Sequence, residues 1–454
     1  MKTRLVLCMV FFSLTSIAHA AAPSQLTLTL RDAETEALAY SQRIQSAEYD
    51  KLAANARALA VSSQKSLQLT FDASYRYYSQ IPKVSLPNGY SFALGDNNVY
   101  SIGPTLTYLL YDAGSAHQSA QSASLYARAK SQQMRATRDD VLLATRSAYF
   151  AVQNSVERMR LITNSLRLAR ARYADIARRL GAGAASRADA LSAHKDVLDF
   201  DLKLQQAQAD LATDLADLLA LIGRVDNYDV TRPEDASQDS HYPAELGDPT
   251  VLLTLDPLQQ TLARFLAKPR SLSLAQNPRV KALGDLAQSS RLASKSFADQ
   301  RWPKIQLSAR TSLDYPNGPI LEQINQNTIG VTLSMPLFDA GRTSALEQEQ
   351  LSQAESLDAQ RAQLQNDLTR DWDKVAARLS ALRAQEVLTK QGVDETSRLA
   401  QLTYESYRAG RDRFLEVQTA NLEALNWQVN LALIKSQILV QLAVQDSLSA
   451  GSDQ

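Results

Sequence analysis

A fifteen-residue segment occurs twice in this chain, and that duplication constrains the fold more than any other feature. Residues 100–114 read YSIGPTLTYLLYDAG and residues 327–341 read NTIGVTLSMPLFDAG, a displacement of 227 in a sequence of 454 residues. Eight of the fifteen positions are identical, where ordinary residue frequencies give about one. At the same displacement Gly183 falls on Gly410, and acidic Asp189 falls on acidic Glu416. The chain is two copies of one unit, so a fold is sought for the unit first.

Within each copy the hydrophobic period changes. Residues Leu30 to Gln64 contain no Gly or Pro and are rich in Ala, Glu, Gln and Leu, which reads as helix. Then Leu67, Leu69, Phe71, Ala73, Tyr75 and Tyr77 alternate with Gln68, Thr70, Asp72, Ser74 and Arg76. A two-residue period over about eleven residues has the length of a tilted membrane-crossing strand. A turn-rich loop follows, with Pro82, Pro87-Asn88-Gly89 and Gly95. The next strand places Tyr100, Ile102, Leu106, Tyr108 and Leu110 on one face. The second copy repeats both strands, with Ile305, Leu307, Ala309, Leu313 and Tyr315, then Ile329, Val331, Leu333, Met335 and Leu337.

A soluble sheet carries the same alternation, but two observations favour a membrane barrel. The strands are flanked by long helices and not by further strands. Tyrosines also collect around the hairpins (Tyr75, Tyr77, Tyr78, Tyr100, Tyr108, Tyr111 and Tyr315), as in interfacial girdles. Four strands do not close a barrel, for which about eight is the small end, and an open sheet edge is costly in lipid. Strands shared by a cyclic trimer, twelve in all, give the simplest closure with an open lumen.

After each Asp-Ala-Gly the pattern is helical for an unusual distance. Ser115 to Leu180 holds no Gly or Pro, about 66 residues or roughly 100 Å of helix. The copy from Arg342 to Ala409 reads as equally long and unbroken. Along the first, Val152, Val156, Met159, Ile162, Leu166, Ala169, Tyr173, Ile176 and Leu180 form a near-heptad seam. Glycines end both (Gly181 and Gly183 in one, Gly410 in the other), and return helices are expected over 187–222 and 413–447. Leu204, Leu211, Leu215, Leu218 and Ile222 keep the seam in one return helix, and Leu415, Leu422, Leu425, Val429 and Ala432 in the other. Between the copies, residues 223–270 carry five prolines and an acidic run, which reads as a connector with one short helix around Val251–Leu266. Helix resumes before Asn277-Pro278, and a polar tail follows from about residue 448.

The remaining composition mostly excludes. Basic and acidic residues balance at 48 each, so no charge excess points to nucleic acid. Residues 1–20 have the charged start, apolar core and Ala18-His19-Ala20 site of a secretory signal. The only cysteine, Cys8, lies inside it. The mature chain is therefore expected to have no disulfide, thiolate metal site or cysteine nucleophile. No later run is apolar enough for a membrane helix. No catalytic triad order, carboxylate pair or phosphate loop appears, and Gly181-Ala182-Gly183 follows a helix where a dinucleotide fingerprint needs a strand. No enzyme activity and no cofactor are expected.

The signal segment, the duplicated helix–hairpin–long helix–return helix unit and the spacing Gly-x5-Asp/Glu at the helical tips together resemble the TolC outer-membrane efflux family, over essentially the whole mature chain. That resemblance implies a mainly α fold with a β membrane part. Three chains would share a twelve-stranded barrel continuous with a periplasmic α-barrel. It implies a passive exit duct for small molecules or polypeptides, a homotrimer in outer-membrane lipid, docked through a periplasmic adaptor (membrane fusion protein) on an inner-membrane transporter. It also implies a gate at the tips. Tyr407 matches a constriction tyrosine, Asp189 its acidic partner, and Glu416 the upper member of an acidic pair whose lower member falls on Thr419. The gating arginine falls on Asp412, flanked by Arg411 and Arg413, and Gly181, Gly183 and Gly410 mark the adaptor-contacting tips. Aligning the two hairpins sets Asp72 against Arg310 and Arg76 against Asp314, and a mixed-sign ring lining the lumen, weakly ion-selective at that level, is expected from them. A periplasmic coiled-coil adaptor or scaffold is the competing reading. It would have one helical hairpin flanked by soluble β domains.

Overall fold

The computed structural model describes residues 24–87, 89–224, 228–230 and 251–449. The signal segment, the acidic run of the connector and the residues after 449 lie outside them. The first copy contains β1 (Ser24–Leu28), α1 (Leu30–Tyr40), α2 (Gln42–Ser62), β2 (Gln68–Tyr77), β3 (Lys83–Ser85), β4 (Ser91–Ala93), β5 (Asn98–Tyr111), α3 (Ser115–Gly181) and α4 (Arg187–Ile222). The connector contributes β6 (Tyr228–Val230), β7 (Val251–Leu255) and α5 (Leu258–Ala267). The second copy runs α6 (Pro278–Asp299), β8 (Lys304–Tyr315), β9 (Ile324–Ser334), α7 (Arg342–Arg408) and α8 (Phe414–Leu448).

Helices α3 and α7 have 67 residues each, and both ends of one map onto the other at the displacement of 227. The repeated Asp-Ala-Gly explains how each begins. Asp112 accepts from the backbone N–H of Gly114 at 3.1 Å and of Ala116 at 2.6 Å. Asp339 accepts from Gly341 at 3.0 Å and Thr343 at 2.9 Å. These carboxylates satisfy donors that a helix start leaves open. Between strand and helix the chain turns through the left-handed region, at φ 56° for Ala113 and 53° for Ala340, with Gly114 and Gly341 following at 100° and 82°. The motif is thus a corner that converts each second strand into a long helix.

The long helices are spines shared by shorter ones. In the half next to the sheet, α2 packs on α3, and α6 packs between α3 and α7; in the other half α4 packs on α3, and α8 packs between α3 and α7. Small residues let α3 and α6 approach. Ser115 and Ser296 exchange hydrogen bonds with each other's carbonyls at 2.9 Å, as do Ser122 and Ser289 at 2.8 Å. The main core lies where all these helices overlap, around Tyr149, Phe150, Leu218, Ile438 and Leu439. There a parallel sheet of order β1-β7-β6 is pinned to α3. The Tyr149 hydroxyl donates to Leu28 O and accepts from Asp256 N, both at 3.0 Å. Buried Asp446 accepts from Arg270 and from Arg146, which also reaches Glu34 at 2.6 Å.

The membrane-patterned strands form one antiparallel sheet of order β2-β5-β8-β9, so β5 and β8 join the copies and β2 and β9 are edges. Its apolar face is open. Phe71 is 71 % exposed and Ile329 81 %. Among the described residues no helix is long and apolar enough to cross a membrane.

Several expectations need correction. The first helix is interrupted at Ser41, whose ψ of 114° is not helical. Residues 251–255 are a strand and not helix, because Val251–Leu255 pairs in parallel with Ser24–Leu28. Asn277 starts α6 instead of interrupting it, its side chain accepting from Arg279 N at 3.0 Å with Pro278 in the first turn. Gly392 lies inside α7 without breaking it. The seam of α8 holds only in its later part, where Leu425 and Ala432 are buried. Leu415 and Leu422 are exposed, while Phe414, Val417, Ala420 and Ala424 are buried.

Candidate functional site

Both tips end in the same five-residue turn. Gly183 N–H donates to Leu180 O and Ala184 N–H to Arg179 O, and the same bonds link Gly410 to Tyr407 and Arg411 to Ser406. Such a closure requires a left-handed residue, and both Gly183 and Gly410 have φ 72°. Gly181 is instead the last residue of α3. Past the turn the copies differ. Ser186 and Asp189 form a reciprocal capping box at the start of α4. Arg413 stands in the place of Ser186 and gives α8 no side-chain cap.

The hairpins α3–α4 and α7–α8 meet at the tip in one small joint. Ile176, Ala193, Phe414 and Val417 cage Tyr407, which is 8 % exposed. Its ring lies edge-on to Phe414 at 5.3 Å. Around this cluster polar bonds cross between hairpins. The Tyr404 hydroxyl donates to Asp175 Oδ2 at 3.1 Å, and Arg179 Nη2 donates to Arg408 O at 2.9 Å. Gln418 Nε2 donates to Ser192 O at 2.9 Å and to Asp196 Oδ1 at 2.6 Å. Burial pushes the Tyr407 phenol up, helped by the Asp189 carboxylate. Burial also pushes Tyr404 up, helped by its bond to Asp175. Both rings therefore stay neutral and act as packing and as a donor.

Of the gate positions implied by resemblance, Tyr407 sits at the centre of the joint and Asp189 lies beside it, with its carboxylate engaged in the cap. Arg411 and Arg413 are exposed, Asp412 is half-buried, and Glu416 is exposed in the first turn of α8. Among the described residues none of these four makes a side-chain hydrogen bond or ion pair. The joint also uses Asp175, Arg172, Asp196, Tyr404 and Gln418, which sequence reasoning did not single out. Arg172 and Asp196 alone carried a signal, a charged side chain on the apolar side of a heptad helix. Above the joint a cleft of about 1170 Å³ separates α3 and α4 from α7 and α8, with Arg172, Asp196, Phe200 and Tyr404 on its walls.

In the sheet the four predicted lumen charges share the polar face but not a level. Arg310 is level with Thr105 and Thr70, Asp72 with Gly103, Asp314 with Ser101 and Ser74, and Arg76 with Val99. Ser101 bridges two of them, donating to Asp314 Oδ1 at 2.5 Å and accepting from Arg310 Nη2 at 2.8 Å. Among the described residues no group of three or more His, Cys, Asp or Glu side chains is placed to hold a metal ion.

The chain superposes on CusC, whose crystal structures follow transmembrane channel formation, with a TM-score of 0.72, 16 % identity and coverage of 93 % of this chain and 92 % of that one. The outer-membrane protein VceC of Vibrio cholerae gives 0.71, 18 % identity, and coverage of 94 % and 97 %. The open-state outer-membrane channel MtrE of Neisseria gonorrhoeae gives 0.69, 14 % identity, and coverage of 94 % and 91 %. At such identities the likeness is one of fold. No curated protein sequence matches the chain. The sequence pattern described as Outer membrane efflux protein matches residues 35–224 and 260–444, one stretch in each copy and most of the chain. The duplicated unit, its membrane-patterned sheet and its jointed helical tips are those of a channel subunit, and the chain belongs to the outer membrane efflux protein family.

Proposed function

We propose that three copies of this chain form an exit duct that receives cargo from an inner-membrane transporter through a periplasmic adaptor and releases it across the outer membrane. The four-stranded sheet carries this reading. One face is apolar and the other polar, and strands β2 and β9 have an unpaired edge each. In lipid each unpaired backbone group costs several kcal/mol, so the sheet closes with further copies, and three give the twelve strands of an even-numbered barrel. Apolar residues left uncovered on the lower helices, Leu388, Leu402 and Leu415, fit the same assembly. The duct does no chemistry, and the transporter selects the cargo.

The tip is its gate. Opening parts the first hairpin from the second at the joint around Tyr407. Removing the caged ring in Tyr407→Ala deletes packing worth about 3 kcal/mol by core precedent. Adding Glu416→Ala tests the exposed acidic position of the same tip. In planar bilayers the wild type is expected to show small or flickering conductance, and the double variant larger and longer openings. A steady, large conductance in both moves the gate elsewhere in the duct. A protein that stays soluble without detergent and never inserts is not a duct.

A further inference from the structure

The cleft between the hairpins holds a cation and an anion at matching levels that do not pair. Arg158 and Asp210 are joined between α3 and α4 at 2.6 Å, and this contact marks the register of the first hairpin. Fourteen residues towards the tip on each helix, two heptads and hence the same face, stand Arg172 and Asp196. Next to them the rings of Tyr173 and His194 approach to 5.1 Å, so the register persists to this level. Yet both charges are engaged by the second hairpin. The Arg172 guanidinium lies over the Tyr404 ring, 4.7 Å from its centre, and Asp196 accepts from Gln418. Arg172 is 8 % exposed, and its Nε has no hydrogen-bond partner. Burial lowers the pKa of Arg172 and raises that of Asp196. Each group is thus destabilised as an ion in the joined state, and a buried guanidinium such as that of Arg172 is normally paired.

We propose that Arg172 and Asp196 form a switch: the joined hairpins hold them apart, and they pair with each other when Tyr404 and Gln418 withdraw. The ion pair inside the first hairpin then offsets part of the packing that opening gives up, and so biases the duct towards the open state. The inference rests on the reading of the tip as the gate. The device belongs to the first hairpin alone, since the corresponding positions of the second are Leu399 and Glu423, which offer no cation.

The opposite view, that both residues merely hold the joint closed, predicts the opposite sign. On that view Asp196→Asn or Arg172→Gln loosens the joint and raises open probability. The switch predicts that each charge-removing change lowers open probability about fivefold, the factor for an ion pair of this exposure. It also predicts that the double variant is no lower than either single one. The experiment is single-channel recording of wild type, the two single variants and the double variant, with helical content and assembly matched by circular dichroism and native gel. Tyr407→Ala serves as the control for the gate. If Tyr407→Ala changes nothing, the gate reading fails. If it raises opening but Asp196→Asn also raises it, leaves it unchanged, or acts additively with Arg172→Gln, the switch fails.

Discussion

Asp196 links the joint to pH. The groups that face it are Arg172 on α3, Lys195 and Asp199 on its own helix, Gln418 on α8 and the Tyr404 phenol across the cleft on α7. Desolvation raises its pKa above the ordinary value of 3.8, outweighing the Gln418 bond and the nearby cations. The joined state therefore binds a proton more tightly than a parted state in which water reaches the carboxylate. The extra stability of the joint is fully present below the ordinary carboxylate value and is lost as pH rises through the raised one. Open probability is expected to be lower at about pH 4 than at about pH 7. Asp196→Asn should remove that part of the profile, and an unchanged profile would assign it to another group. At this scale the sequence is legible only where local spacing suffices. Gly183 and Asp189 can be matched to Gly410 and Glu416 by counting, and Ser186-x-x-Asp189 is a local cap. Arg172, Asp196, Tyr404 and Gln418 meet only through the packing of two hairpins, which no spacing along the chain encodes.

Among the elements, α7 has the one feature that a 67-residue helix would be expected to avoid. Gly392 lies in its interior, where glycine costs about 1 kcal/mol relative to alanine. The reason is on the neighbouring helix. A Cβ at Gly392 would stand 2.4 Å from the Trp427 ring, so the indole of α8 lies directly on the backbone of α7. Gly392→Ala is expected to lower stability by about 1–2 kcal/mol, because the overpacking cost exceeds the gain in propensity. Pairing it with Trp427→Ala should remove that clash, so the double variant should lose less than the two single losses added together. Thermal unfolding monitored by circular dichroism checks both, and a rise in stability for Gly392→Ala alone would mean that Trp427 swings out freely. The long helices, their return helices and the four membrane-patterned strands were legible, because each carries its own period over many turns. Strands β1 and β7 were not. Each is only five residues long, too short for its period to tell strand from helix, and the two pair with each other across more than two hundred residues. The exposure of Leu415 and Leu422 was also hidden, since an apolar residue on a second helical face reads like core until the partner helix is placed.

On the scale of the whole molecule, the polar face of the sheet presents its four charges in succession along the strands instead of at one level. Arg310, Asp72, Asp314 and Arg76 occupy successive levels, so in the proposed duct an ion would meet positive, negative, negative and positive side chains in turn. In the proposed trimer such levels are expected to give weak selectivity whose sign is set by the middle pair. The double change Asp72→Asn with Arg310→Gln removes one charge of each sign from adjacent levels. It is expected to shift the ratio of cation to anion permeability measured from reversal potentials in a salt gradient. No shift would remove these side chains from the conducting path. The pairing of β1 with β7 has a further consequence, for the order of events during export. An exported chain emerges with its amino end first, and its first strand finds its central partner only when residues 251–255 have followed. The seam of β5 and β8 likewise joins residues about two hundred apart. Loops of that size close late, after local hairpins and helices have formed. One repeat released alone would therefore stay unfinished, with its apolar strand face uncovered, so the two copies, although duplicates in sequence, mature as one unit and at one time.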